Sequence, residues 1–92
     1  MNRELVDTLR LEAKLGATVP ELVRLVLAKI GPQSRFAVTM YFMAAFNLPL
    51  RTALELNGWN GYGDGYGDMT NNELQRVIGP LIAAALKEGE NG

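Results

Sequence analysis

Eleven consecutive residues, Phe36 to Phe46, read FAVTMYFMAAF and carry no charge. On a helix, Phe36 and Met40 fall in one row while Phe42 falls in another, so large apolar side chains face every direction. Such a helix has no polar face and must be covered by the rest of the chain. It spans only about 17 Å, at ~1.5 Å per residue, against about 30 Å for a hydrocarbon core. A buried core helix is therefore predicted rather than a membrane span.

Two amphipathic helices are predicted before this segment, with clear signals at their ends. The first runs from Arg3 to Leu15, with Asn2 as its N-terminal cap and Gly16 as a left-handed stop. The second starts at a capping box formed by Thr18 and Glu21 and ends before a Gly-Pro pair. Because short connections join these helices, the first three are expected to run antiparallel as an up-down-up bundle.

In the second half of the chain, the sequence predicts a short helix, a loop and a long final helix. The short helix spans residues 49–56. Three of its side chains are expected to face inward: Leu50, Ala53 and Leu54. The final helix starts at a second capping box, Thr70 and Glu73, and its apolar stripe keeps the same phase through Pro80. We therefore expect one helix, kinked at Pro80 and packed across the central segment.

These signals predict an all-α protein with a single helical domain over residues 1–92. The expected fold is a small four- to five-helix bundle, with its central apolar helix at 36–46 and a glycine-rich loop at 57–69 before the kinked C-terminal helix. A domain of this size buries only about 60–65% of the surface that its unfolded chain exposes. Full coverage of the central helix is therefore expected to need a second copy of the chain, as in a homodimer.

Charge and composition exclude several classes of function. The net charge is −1 and no basic run is present, so nucleic acid is not an expected partner. The chain has neither Cys nor His, which excludes Ser-His-Asp and Cys-His nucleophile systems and ordinary zinc sites. No cofactor is expected. The first residues lack the apolar centre of a signal peptide, so we expect a cytoplasmic protein with no membrane partner.

Residues 57–69, NGWNGYGDGYGDM, form one unusual loop that contains five glycines. Loops of this length are often functional, and aromatic side chains with polar tips are enriched in protein-binding surfaces. We predict that five loop residues contact a partner protein: Trp59, Tyr62, Asp64, Tyr66 and Asp68. In the alternative interpretation, Trp59 and one tyrosine fold back to cap the bundle, and the remainder is a mobile linker. Trp59 is expected to be at least partly buried in either case.

A cation site and an enzyme are the alternatives for this loop. An EF-hand counted back from Glu73 places tyrosines where carboxylate ligands belong, although Asp64 and Asp68 with Asn60 remain candidate ligands for a weakly bound cation. General acid–base chemistry would fall to Asp64, Asp68, Glu55 or Glu73. A glycine-rich loop is expected to hold such groups poorly. No metal site and no catalytic residue are therefore predicted.

The leading functional hypothesis is a small interaction protein, of the adaptor, inhibitor or immunity type, that acts by binding another protein. A second hypothesis is a self-assembling helical protein that buries its excess apolar surface between identical chains. A third is a domain that binds a cation or small ligand through the loop. DNA binding by a helix-turn-helix is not expected, because residues 36–46 offer almost no side chain that reads a base edge.

Overall fold

Five α-helices and two short 3-10 helices make up the computed structural model, which describes residues 1–32 and 34–91. The α-helices are α1 (Arg3–Lys14), α2 (Val19–Ile30), α3 (Arg35–Phe46), α4 (Leu50–Ala53) and α5 (Asn71–Asn91), and the 3-10 helices are Leu54–Gly58 and Asn60–Tyr62. Within this part of the chain the only β-type pairing is a single bridge in the loop, so no strand forms. The predicted all-α bundle is confirmed.

The predicted ends of the first two helices are confirmed by their hydrogen bonds. The side-chain oxygen of Asn2 accepts from the Leu5 amide at 3.2 Å. Gly16 follows α1 with a φ of +99°, which a side chain would strain. At the start of α2, the Glu21 amide donates to the Thr18 hydroxyl and the Glu21 carboxylate accepts from the Thr18 amide. Each bond satisfies a helix-end group that has no partner within the helix.

The core is assembled against one side of α3. Phe42 and Phe46 are fully buried there, with ring centres 5.5 Å apart in an edge-to-face arrangement. The neighbouring helices α1, α2 and α5 contribute further buried side chains: Leu5, Leu9, Leu22, Val23, Val26, Leu74 and Ile78. The Asn2 amide, at the start of α1, donates to the Tyr41 hydroxyl on α3 at 2.9 Å. This side of α3 is the protein's interior, as predicted.

The opposite side of α3 is only partly covered, which corrects the expectation that the helix is wrapped all round. Phe36 is 76% exposed, Met40 is half-buried and Ala44 is exposed. These residues follow one another at intervals of four and therefore lie along one row of the helix. The other helices pack against the far side of α3, and no element within residues 1–32 and 34–91 covers the exposed members of this row.

The short helix after α3 also differs from its prediction. Leu50 and Leu54 are about half exposed, whereas Ala53 and Leu56 are fully buried. The α-helix lasts only from Leu50 to Ala53 before the chain tightens into a 3-10 helix. Ala53 directly precedes the 3-10 helix, in which side chains three residues apart share a face, so Ala53 and Leu56 point inward together. The four-residue spacing that we used to predict inward-facing leucines does not apply beyond Ala53.

The final helix, α5, runs without interruption through Pro80, which confirms the prediction of one helix. Its start carries the predicted capping box, in which the Glu73 amide donates to the Thr70 hydroxyl at 3.2 Å. The helix packs mainly against α2, with smaller contacts to α1 and α3, rather than chiefly across α3. The amide of Val19 at the start of α2 donates to Gln75 at 2.6 Å. In the described residues, no helix has the length and apolar character needed to cross a membrane.

Candidate interaction site on the glycine-rich loop

The two ends of the glycine-rich loop are joined by backbone hydrogen bonds. The Asn60 amide donates to the Met69 carbonyl at 2.9 Å, and the Met69 amide donates to the Gly58 carbonyl at 2.8 Å. These bonds form a parallel bridge between Trp59 and Met69. Residues 58–69 therefore form a closed loop whose ends lie side by side, as in an Ω-loop.

Two of the loop glycines are required by close packing. A β-carbon on Gly67 would collide with the backbone of Gly58, and a β-carbon on Gly61 would collide with the indole ring of Trp59. The absence of a side chain lets the backbone approach these groups directly. The expectation that this loop holds geometry poorly is wrong for its base, because these contacts and the bridge fix the backbone there.

Trp59 anchors the loop to the helical bundle. It is fully buried, and its indole nitrogen donates to the side-chain oxygen of Asn71 at 2.7 Å. The Tyr62 ring meets it edge to face, with centres 5.4 Å apart, and the Arg24 guanidinium lies 5.3 Å from its ring centre. Trp59 and one tyrosine thus fold back onto the bundle, as in the alternative interpretation. In this conformation Trp59 offers no surface to a partner.

Arg35, the first residue of α3, organises the outer part of the loop. Its guanidinium carbon lies 4.2 Å from the ring centre of Tyr62 and 5.1 Å from that of Tyr66. Its two terminal nitrogens donate to the two carboxylate oxygens of Asp64, with 3.0 Å between Nη2 and Oδ1. The Asp64 Oδ1 atom also accepts from the Tyr66 amide at 3.0 Å. Asp64 therefore joins the guanidinium to the backbone of the loop tip.

The charges in this cluster are fixed at neutral pH. Hydrogen bonds from Arg35, and then from the Tyr66 amide, lower the pKa of Asp64 from 3.8 to about 2. Burial raises the pKa of the half-buried Tyr62 from 10.0 to about 12. Neither group changes its protonation between pH 4 and pH 9. The cluster therefore provides structure and constant charge rather than a group poised for proton transfer.

The five side chains predicted to contact a partner differ in burial and in pairing. Trp59 is buried and Tyr62 is half-buried between Trp59 and Arg35. Asp64 is exposed but paired with Arg35, whereas Asp68 is exposed and has no ion-pair partner among the described residues. Tyr66 is 81% exposed at the tip. Two glycines with positive φ, Gly63 and Gly65, precede it in the tip.

Arg35 was not among the residues that the sequence analysis identified. Asp64 lies 29 residues further along the chain, and no local spacing links the two residues. The path of the chain after α3 brings the loop back to the start of that helix, and sequence spacing does not record this path. Phe36 was also missed as a surface residue, because its apolar neighbours in sequence suggested a buried environment.

The geometry gives little support to a cation site. Within residues 1–32 and 34–91, no group of three or more Asp, Glu, His or Cys side chains converges. Both carboxylate oxygens of Asp64 face the guanidinium of Arg35, so a cation there would meet a positive charge. Asp64 is therefore engaged by Arg35 rather than free to share a cation with Asp68.

Comparisons of this chain with protein-family models, curated proteins and solved structures found no match. No function therefore comes to the chain by resemblance. The side chains of the loop, their burial and their charges are the basis for a functional argument.

Proposed function

We propose that this protein is a small, non-catalytic interaction protein that binds another protein through the tip of its loop. The tip surface, as we define it, consists of Tyr66 and Asp68 together with the exposed edges of Asp64 and Tyr62. One observation carries the proposal: Tyr66 is 81% exposed while its backbone is held by Asp64. A large aromatic side chain in that position leaves apolar area for a partner to cover.

The fixed geometry of the loop supports this proposal. Binding costs free energy for every loop and side chain that has to be ordered at the interface. The bridge at the loop base and the Arg35–Asp64 ion pair already order the loop in the unbound protein. Much of the ordering cost therefore does not arise on binding. Tyrosine loses few rotatable bonds on binding and presents both an apolar ring and a hydroxyl. These properties favour a preorganised contact surface over a spacer.

The absence of a catalytic role is part of the proposal. The side chain of Glu73 accepts a bond from the Thr70 amide at the start of α5, and Asp64 is paired with Arg35. Two of the acidic residues that an enzyme would need are therefore used for structure. We retain a cytoplasmic location within the proposal, and subcellular fractionation of the native host tests it.

Co-purification from the native host, followed by titration of the partner that is recovered, tests the proposed function. Tyr66→Ala should weaken binding by about fivefold or more, on the order of 1 kcal/mol, because Tyr66 is the central exposed aromatic of the tip surface. The melting temperature of the Tyr66→Ala variant should equal that of the wild type. Leu11→Ala is the matched control, since Leu11 is an exposed apolar residue on α1. If Tyr66→Ala and Leu11→Ala bind the partner equally well, the tip surface is not the binding site.

Self-association through α3 is a second candidate, and the exposure of Phe36 favours it. The row of Phe36, Met40 and Ala44 has no charged member and ends in a side chain that is 76% exposed. Burial of such a ring between two chains would contribute roughly 1.5–3 kcal/mol. Sedimentation across a dilution series should show a dimer that Phe36→Ser converts to a monomer. A wild-type monomer at every concentration rules this candidate out.

A further inference from the structure

The loop surface carries an excess of negative charge that is only partly neutralised. Residues 52–75 contain four acidic side chains and no Lys or Arg. Arg35 reaches in from α3 and pairs with Asp64. Asp68 is exposed, and among the described residues it has neither an ion-pair partner nor a side-chain hydrogen bond. A partner that approaches the tip therefore meets one uncompensated carboxylate.

Tyr66 and Asp68 are held on the same short stretch of backbone. They are separated only by Gly67, which lies against the backbone of Gly58. At ~3.3 Å per residue, their α-carbons are at most about 7 Å apart. Arg35 lies 5.1 Å from the centre of the Tyr66 ring, yet most of the side chain is exposed. The tip thus presents an open aromatic surface beside a free carboxylate.

We infer that the tip surface recognises a basic segment of its partner, in which an Arg or Lys side chain stacks on Tyr66 and pairs with Asp68. This inference rests on the proposed function and names the chemistry of the partner. An aromatic face attracts a cation through its quadrupole, and a neighbouring carboxylate supplies the opposite charge. The Arg35 guanidinium lies against one face of the Tyr66 ring, so a partner's cation would stack on the opposite, open face. An acidic segment or a phosphate group would instead be repelled by Asp68.

Selection of peptides against the full-length protein tests the inference. We expect a random peptide library, panned on the immobilised protein, to enrich sequences that contain Arg or Lys. A selected peptide is then synthesised with a fluorescent label, and its affinity is measured by anisotropy. Tyr66→Ala should weaken binding about tenfold and Asp68→Asn about threefold to fivefold, because an exposed ion pair contributes less than an aromatic ring that the bound peptide covers. Added salt should weaken binding to the wild type more than binding to Asp68→Asn.

Asp7→Asn is the matched control, because Asp7 is an exposed aspartate on α1. It should bind the selected peptide as the wild type does. If no selected peptide loses affinity on Tyr66→Ala, the tip surface is not a binding site, and the proposed function fails with the inference. If Tyr66→Ala weakens binding of the selected peptides but these peptides lack basic residues, or if Asp68→Asn leaves their affinity unchanged, only the inference is overturned.

Discussion

Gly58 and Gly67 face each other at the base of the loop. Their contact predicts that alanine is tolerated at Gly58 and disruptive at Gly67. A β-carbon on Gly67 would overlap the carbonyl group of Gly58, which is backbone and has no rotamer to change. A β-carbon on Gly58 would meet only the terminal methyl group of Met69, at 3.9 Å. Gly67→Ala should therefore force the two ends of the loop apart, whereas Gly58→Ala should fit.

The cost of Gly67→Ala follows from the interactions that this separation would break. Two backbone hydrogen bonds join the ends of the loop, and each contributes about 0.5–1.5 kcal/mol. Insertion of a methyl group into a packed contact costs about 1–3 kcal/mol when the surroundings cannot move. Because separation of the two ends relieves part of the methyl overlap, the two contributions do not add in full. We expect a loss of roughly 2–4 kcal/mol, which lowers the melting temperature of a domain this size by about 10–30 °C. Gly58→Ala should remain within about 0.5 kcal/mol of the wild type.

Urea unfolding, monitored by circular dichroism and by tryptophan fluorescence, measures both variants. Trp59 is the only tryptophan and is fully buried, so its emission reports whether the loop base has lifted from the bundle. Gly67→Ala should show a red-shifted emission before denaturant is added, and Gly58→Ala should not. If the two variants have the same stability and the same emission, the backbone contact does not hold the base of the loop.

Two further predictions concern the polar contacts of the loop. Asn71→Ala should cost about 1–3 kcal/mol in urea unfolding, because it leaves the buried N–H of Trp59 without an acceptor, whereas Asn72→Ala should stay near the wild-type value. The carboxyl group of Asp64 should titrate at about pH 2 by NMR and return toward 3.8 in Arg35→Leu. The pKa of Asp64 is lower in the folded state than in the unfolded state. Its ion pair therefore stabilises the loop above about pH 4, and this contribution is lost as the pH falls toward 2. A wild-type midpoint near 3.8 would contradict the pairing.

Features set by neighbouring residues were predictable from the sequence. The capping boxes at Thr18 and Thr70 and the cap at Asn2 each join residues three positions apart, and all form. The continuity of α5 through Pro80 was also predictable, because the apolar phase is the same on both sides. These signals involve one turn of chain, so the rest of the fold has little opportunity to override them.

The direction in which an apolar side chain points, unlike the helix caps, was not predictable from neighbouring residues. Phe36, Leu50 and Leu54 have the composition of buried residues, yet each has a large exposed fraction. Whether a helix face is covered depends on the number of neighbours that the whole chain can supply. Periodicity identifies the members of a row, but it does not say which row receives a neighbour.

The glycines of the loop show why its geometry was misjudged. In sequence they are alike, and their number suggested flexibility. In the structure Gly63 and Gly65 adopt positive φ, whereas Gly61 and Gly67 allow close contacts with Trp59 and the Gly58 backbone. Both uses restrict the chain rather than loosen it. The difference depends on where other backbone atoms lie, which is information that residue identity does not contain.

Stability and binding should be separable in this loop, because its base and its tip depend on different contacts. The base is held by buried Trp59 and its bond to Asn71, while the tip is held by the exposed ion pair between Arg35 and Asp64. Exposed ion pairs contribute little to folding, typically about 0–1 kcal/mol. The Arg35 pair nevertheless fixes the tip backbone that carries Tyr66. Its main effect is therefore to reduce the ordering cost of binding, which predicts that its loss weakens partner affinity more than it lowers the free energy of unfolding.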